Sequence, residues 1–130
     1  MQFLTAPVAL IGRIFLAYIF LVEGVGKIAH YSDVAAYMQT GGVSSSLLPL
    51  VILTELGGGL LVLTGFWARW AAIGMAGFCV ITALLFHSDG ADVGQTINFQ
   101  KNFAMAGGFL LLAAFGPGAW SLDEWLARRR

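Results

Sequence analysis

Apolar positions fall into four long runs, with bounds of about 6–28, 47–66, 71–87 and 101–116. Each approaches the roughly 20 residues that an α-helix needs to cross the hydrocarbon core of a bilayer. The first run carries Arg13, Glu23 and Lys27, and the second carries a single charge, Glu55. The third has no formal charge and closes on His87. The fourth opens at Lys101-Asn102, has its apolar core from Phe103 to Phe115, and stops at Gly116-Pro117-Gly118. Proline lacks the N–H, and glycine favours a non-helical turn, so that tripeptide ends a helix. Trp67, Trp70, Trp120 and Trp125 all lie near run ends, where indoles prefer the headgroup layer. The pattern predicts an all-α fold, an up-down-up-down bundle of four transmembrane helices. With no internal repeat or linker in sight, residues 1–130 read as one membrane domain.

Composition supports that class. The chain is 58% hydrophobic and 11% charged, whereas soluble chains are about a quarter charged. Seven basic and seven acidic side chains cannot cover the surface of a soluble domain of 130 residues. Disordered chains have few hydrophobic residues and high net charge, the opposite of this one. The formal net charge of zero leaves no electrostatic footprint for nucleic acid. The lone cysteine, Cys79, can form neither an internal disulfide nor a CxxC pair. The opening Met1-Gln2-Phe3 lacks the basic region of a cleavable signal peptide, so the first run reads as a retained membrane helix.

Basic residues in short loops face the cytoplasm. Arg69 in the second connection and Arg128-Arg129-Arg130 after the fourth run fall on one side. Asp33, Asp89 and Asp92 fall on the other. Both termini are therefore expected in the cytoplasm of a bacterium, with the chain multi-pass in its inner membrane.

The charges inside the runs are the most informative residues, because each costs roughly 2.5–3.5 kcal/mol at a helix centre. At about 100° per residue, Lys27 lies about 40° and Glu23 about 80° from Arg13. All three share one stripe with Leu16, Phe20 and Gly24, and that stripe is expected to face protein. Glu23 and Lys27 stand at i and i+4, the spacing of a helical ion pair. Glu55 lies eight residues in from Leu47, roughly 12 Å below the outer boundary. Glu23, Lys27, Glu55, His87, Lys101 and Asn102 thus fall in the outer half, and Arg13 alone sits towards the cytoplasm. Two readings remain open: self-neutralising pairs that hold helices in register, or a polar cavity for a small ligand.

Other motifs carry less. Gly24-Val25-Gly26-Lys27 lacks the spacing and context of a phosphate loop. Gly57-Gly58-Gly59, Gly74, Gly77 and Gly107-Gly108 read as close helix contacts. His87 with Asp89 and Asp92 falls short of a metal ligand set, so no metal is expected.

Several segments together resemble the DoxX-like family of small bacterial membrane proteins. They are Arg13, Phe20-Leu21 and Glu23-Gly24-Val25-Gly26-Lys27, then Glu55 with Leu63-Thr64-Gly65-Phe66 and Arg69. The most specific is Ile97-Asn98-Phe99-Gln100-Lys101-Asn102 with Ala106-Gly107-Gly108, followed by Gly116-Pro117-Gly118 and Ser121-Leu122-Asp123. The resemblance covers about the whole chain and implies a four-helix membrane fold. Name-giving relatives are associated with a thiosulfate:quinone oxidoreductase, and mycobacterial ones with a membrane complex handling thiol and oxidative stress. It therefore implies a link to a membrane oxidoreductase, with quinone as the cofactor to consider; no haem or flavin motif is visible. The expected function is a polar intramembrane pocket centred on Glu55 and Lys101, walled by Glu23 and Lys27, with Asn102 as a hydrogen-bonding group. The alternatives are a non-catalytic anchor subunit and a small-solute transporter or channel acting as a homo-oligomer.

Overall fold

The apolar runs fold as helices whose ends are set by particular caps. The computed structural model describes residues 4–90 and 92–129. Met1, Gln2 and Phe3 of the opening and Arg130 of the basic tail lie outside the described residues. The helices are α1 (Thr5–Ala29), α2 (Tyr31–Thr40), α3 (Leu48–Thr64), α4 (Ala68–Phe86), α5 (Val93–Phe115) and α6 (Leu122–Ala127). A 3-10 turn, Ser45–Leu47, leads into α3. Among the described residues there is no strand, so the fold is all-helical. Three segments are long and apolar enough to cross a membrane: Thr5–Ala29, Ser45–Thr64 and Ala68–Phe86. At 23 residues, α5 has the length, but its first turns are polar, with Gln95, Thr96, Asn98 and Gln100.

Two boundaries differ from the hydrophobic pattern. The fourth helix begins at Val93, not near 101, because the Asp92 carboxylate accepts from the Gln95 N–H at 2.8 Å and caps it. The third begins at Ala68 rather than near 71, on a cap described below. Two short helices add to the pattern: α2, between α1 and α3, and α6, capped by Ser121.

The long helices pack as two close pairs, α1 on α3 and α4 on α5, and α3 joins the pairs through α4. Small buried residues, among them Ala17, Ala72, Cys79 and Ala106, let the helices approach. The Phe20 ring of α1 meets Phe109 of α5 and Phe78 of α4, with centroids 5.5 and 6.4 Å apart. Gly58, Gly59 and Gly108 sit at helix contacts, against Met75, Leu21 and Leu16. Gly57, Gly74, Gly77 and Gly107 face open space instead. Neighbours on a helix point about 100° apart, so consecutive glycines cannot all face one partner. Phe15, Leu53, Leu111 and Phe115 are all more than half exposed, an apolar outside suited to lipid.

One end of the bundle is locked by side chains that bond to backbone. Gly65 ends α3 in the left-handed region (φ +70°), and a Cβ there would collide with Arg13. Arg13 is 2% exposed and donates to the carbonyls of Leu63, at 3.2 Å, and Trp120. The Asp123 carboxylate accepts from the Trp67 and Ala68 N–H groups at 2.8 and 2.9 Å, capping α4. The Asp123 N–H in turn donates to Gly65 O at 3.0 Å. Arg69 donates to the carbonyls of Ala113 and Ala114, both at 2.7 Å, and so caps the end of α5. Helix ends leave such groups orphaned, and in a membrane protein they are costly to leave so.

Replacing Asp123 by alanine removes both hydrogen bonds of the α4 cap at once. A lost N-cap costs roughly 0.5–2 kcal/mol, so Asp123→Ala is expected to lower the thermal unfolding midpoint of detergent-extracted protein. An unchanged midpoint would mean that α4 is capped by other means.

Candidate functional site

At the opposite end, α1 brings Glu23 and Lys27 onto one face one turn apart. Between them stands Gly24, buried, where a Cβ would come within 2.7 Å of Leu56 and 3.4 Å of the Glu55 Cβ. Only a glycine lets α1 approach α3 this closely. The approach brings Lys27 Nζ to 3.0 Å from Glu55 Oε2, and it also lies 3.5 Å from Glu23 Oε2. The Glu55 side chain is 7% exposed, Lys27 19% and Glu23 60%. Glu55 and Lys27 therefore form the inner pair, and Glu23 is the rim member. Glu55 Oε2 makes the ion pair but has no hydrogen bond among the described residues.

This pair borders a cavity of about 780 Å³, which takes lining from all four long helices and from α2. That volume lies within the ~300–1,000 Å³ of small-molecule pockets. Much of the wall is apolar, including Ile19, Val51, Phe78 and Leu85. Across from the α1–α3 wall, α5 contributes Asn98, Lys101 and Asn102, all on the cavity. Lys101 has neither an ion pair nor a hydrogen bond among the described residues. The Asn102 amide donates to Asn98 O at 3.0 Å, which fixes the side chain along its own helix. His87, just past α4, pairs its Nδ1 with Gln95 Oε1 at 2.5 Å, which leaves Nε2 as its second hydrogen-bonding atom.

The cavity gathers six of the seven residues that the sequence singles out: Glu23, Lys27, Glu55, His87, Lys101 and Asn102. Arg13 is not among them. It shares the α1 stripe with Phe20 and Gly24, but its partners are backbone carbonyls at the locked end. The charges also pair unevenly: one lysine serves two carboxylates, and the other serves none. His30, Tyr37, Thr54, Thr82 and Asn98 line the cavity as well and were not anticipated. Asn98 stands three residues before Lys101, on the same helical face, in polar turns that lie outside the fourth apolar run. Tyr37 reaches the site because α2 folds over it, its ring stacked on Phe86 with centroids 5.6 Å apart. Among the described residues no three His, Cys, Asp or Glu side chains form a metal-binding group.

Removing one partner of a buried ion pair leaves the other charge uncompensated, at about 3–5 kcal/mol. Lys27→Met should therefore lower the thermal midpoint more than the double variant Lys27→Met/Glu55→Gln, which retains no orphaned inner charge. Additive losses in the double variant would show that the two groups are not coupled.

Comparison with known proteins fits this architecture. The chain matches the DoxX family over residues 8–88. It is 47% identical to the inner membrane protein YqjF of Escherichia coli K12, over 92% of each chain. It is 36% identical to the inner membrane protein YphA of the same organism, over 88% of this chain and 87% of that one. No solved structure matches it significantly. The chain belongs to the DoxX family and is an integral inner-membrane protein.

Proposed function

We propose that this protein holds a small ligand in the cavity between its helix pairs and serves a membrane oxidoreductase system through it. The observation that carries this reading is the convergence of Glu55, Lys27, Lys101, Asn102 and His87 on one cavity with apolar walls. Charged groups in a membrane segment are expensive, and their collection at one cavity marks a site rather than a scattered set of staples. In this reading α5 is the fourth span, beside Thr5–Ala29, Ser45–Thr64 and Ala68–Phe86. The chain forms one membrane domain, both termini are cytoplasmic, and the cavity opens towards the outer face. Arg69, Arg128 and Arg129 then lie on the cytoplasmic side, as basic residues in short loops prefer.

The chemistry follows from the side chains. Lys101 offers an ammonium without a protein partner, so it can donate to a ligand oxygen or sulfur. Glu55, buried beside Lys27, can accept or return a proton, with Glu23 at the rim linking it to solvent through the same lysine. His87 Nε2 offers a further hydrogen-bonding atom on the cavity wall. A quinone fits this set of groups, with Lys101 and Asn102 to hold its oxygens and Glu55 to exchange protons. When bound it would supply two-electron redox chemistry. Small sulfur compounds of the thiol or thiosulfate kind are the other ligands that the family resemblance brings forward.

Native mass spectrometry of gently extracted protein tests the reading. A retained small molecule, lost in Glu55→Gln while the variant stays folded, supports a ligand site. A bare chain that holds only a soluble redox protein would instead make it an anchor subunit. A defined oligomer that moves solute in liposomes without a partner would make it a transporter. Topology is tested separately. A fluorescent protein fused after residue 129 should fluoresce, and alkaline phosphatase inserted at Gly42 should be active. The reverse pattern would invert the orientation.

A further inference from the structure

We infer that the ligand is an amphipathic organic monoanion, seated with its negative group at Lys101 and its apolar body between the helix pairs. The inference rests on the cavity reading above and favours an organic acid over a neutral quinone or a small sulfur anion as its occupant. Four formal charges face the cavity: Glu23, Lys27, Glu55 and Lys101. Lys27 and Glu55 neutralise each other at 3.0 Å, with Glu55 7% exposed. Glu23 is 60% exposed, so water at the rim solvates it. Lys101 is left without a counter-charge among the described residues.

Its position on the wall makes that matter. Lys101 stands eight residues into α5, and Glu55 seven residues into α3. At 1.5 Å per residue each lies on the order of 10–12 Å along its helix. Lys101 is exposed on the cavity wall, so its ammonium is open to a negative group there. Asn98, one turn before Lys101, and Asn102, next to it in the chain, also line the cavity and offer amides for further oxygens of the same group. Beyond them the wall turns apolar, through Phe78, Ile81 and Met105, which excludes a small hydrophilic anion and favours one with a hydrocarbon or aromatic body. The opposite wall carries two carboxylates, Glu23 and Glu55, on one lysine, so it repels a second negative charge and a single charge fits best. A free organic acid and an anionic phospholipid headgroup share this chemistry.

Three planar rings of matched shape separate the charge from the body: benzoate, neutral benzamide and cationic benzamidinium. Unfolding of purified protein is followed with a thiol-reactive dye that fluoresces on reaching Cys79, which is the single cysteine and fully buried. Benzoate at saturation is expected to raise the midpoint by about 3–5 °C, with benzamide and benzamidinium giving less than half of that. Lys101→Met should abolish the benzoate shift, and Lys101→Arg should keep it. The unliganded midpoint should stay near wild type in both, since Lys101 holds no protein partner. If phosphatidylglycerol in the micelle removes the benzoate shift in a Lys101-dependent way, the anion is a lipid headgroup. If the shift persists, the anion is a free acid. A benzamide or benzamidinium shift as large as that of benzoate, or a benzoate shift retained in Lys101→Met, overturns the monoanion while leaving the cavity reading standing. No shift with any ring overturns both.

Discussion

The Lys27 ammonium, held 3.0 Å from Glu55 and 3.5 Å from Glu23, is the interaction on which the arrangement of the site depends. A carboxylate as buried as Glu55 is tolerable in a membrane helix only if a cation meets it. The cation can meet it only because Gly24 lets α1 lie against α3 at that level. One glycine, one lysine and one glutamate thus fix the spacing of the first helix pair at this end. Lys101 stands on the other pair, across the cavity and unpaired. The separation of a wall with one carboxylate in excess from a wall with a spare cation makes the cavity chemically asymmetric.

The two ends of the bundle solve the membrane's polarity problem differently. At the locked end, Arg13, Arg69 and Asp123 bond to backbone groups that the turns and helix termini leave unsatisfied. These three charges are engaged by the backbone. At the cavity end, the charges face one another and open space. Locking one end is what allows the other to stay open, since the pairs are already tied through Phe20, Phe78 and Phe109 in the middle. The helix α2 adds Val34, Tyr37 and Met38 to the wall, with Tyr37 stacked on Phe86.

Much of this is legible in the sequence, for physical reasons. The 3.6-residue period puts Glu23 and Lys27 on the stripe that meets α3, and the rise per residue sets the depth of Glu55. Periodicity says which face a residue occupies, but not what it meets there. Arg13 shares the stripe, yet its partners are carbonyls of Leu63 and Trp120, 50 and 107 positions away, which no side-chain pattern reveals. The start of α5 was hidden because its polar first turns resemble a loop until Asp92 is recognised as its cap. The isolation of Lys101 was equally hidden, since a tally of acids and bases cannot tell that one lysine takes both carboxylates.

The central claim, a water-accessible cavity at Asn102 that opens to the outer face, is tested most directly by site-specific thiol labelling. Asn102→Cys is placed in a Cys79→Ala background and treated with a membrane-impermeant methanethiosulfonate, in right-side-out and in inverted vesicles. Rapid labelling in right-side-out vesicles, slowed by a cavity-filling benzoate, is the expected result. Protection from both sides, or labelling in inverted vesicles alone, would contradict an outward-facing cavity.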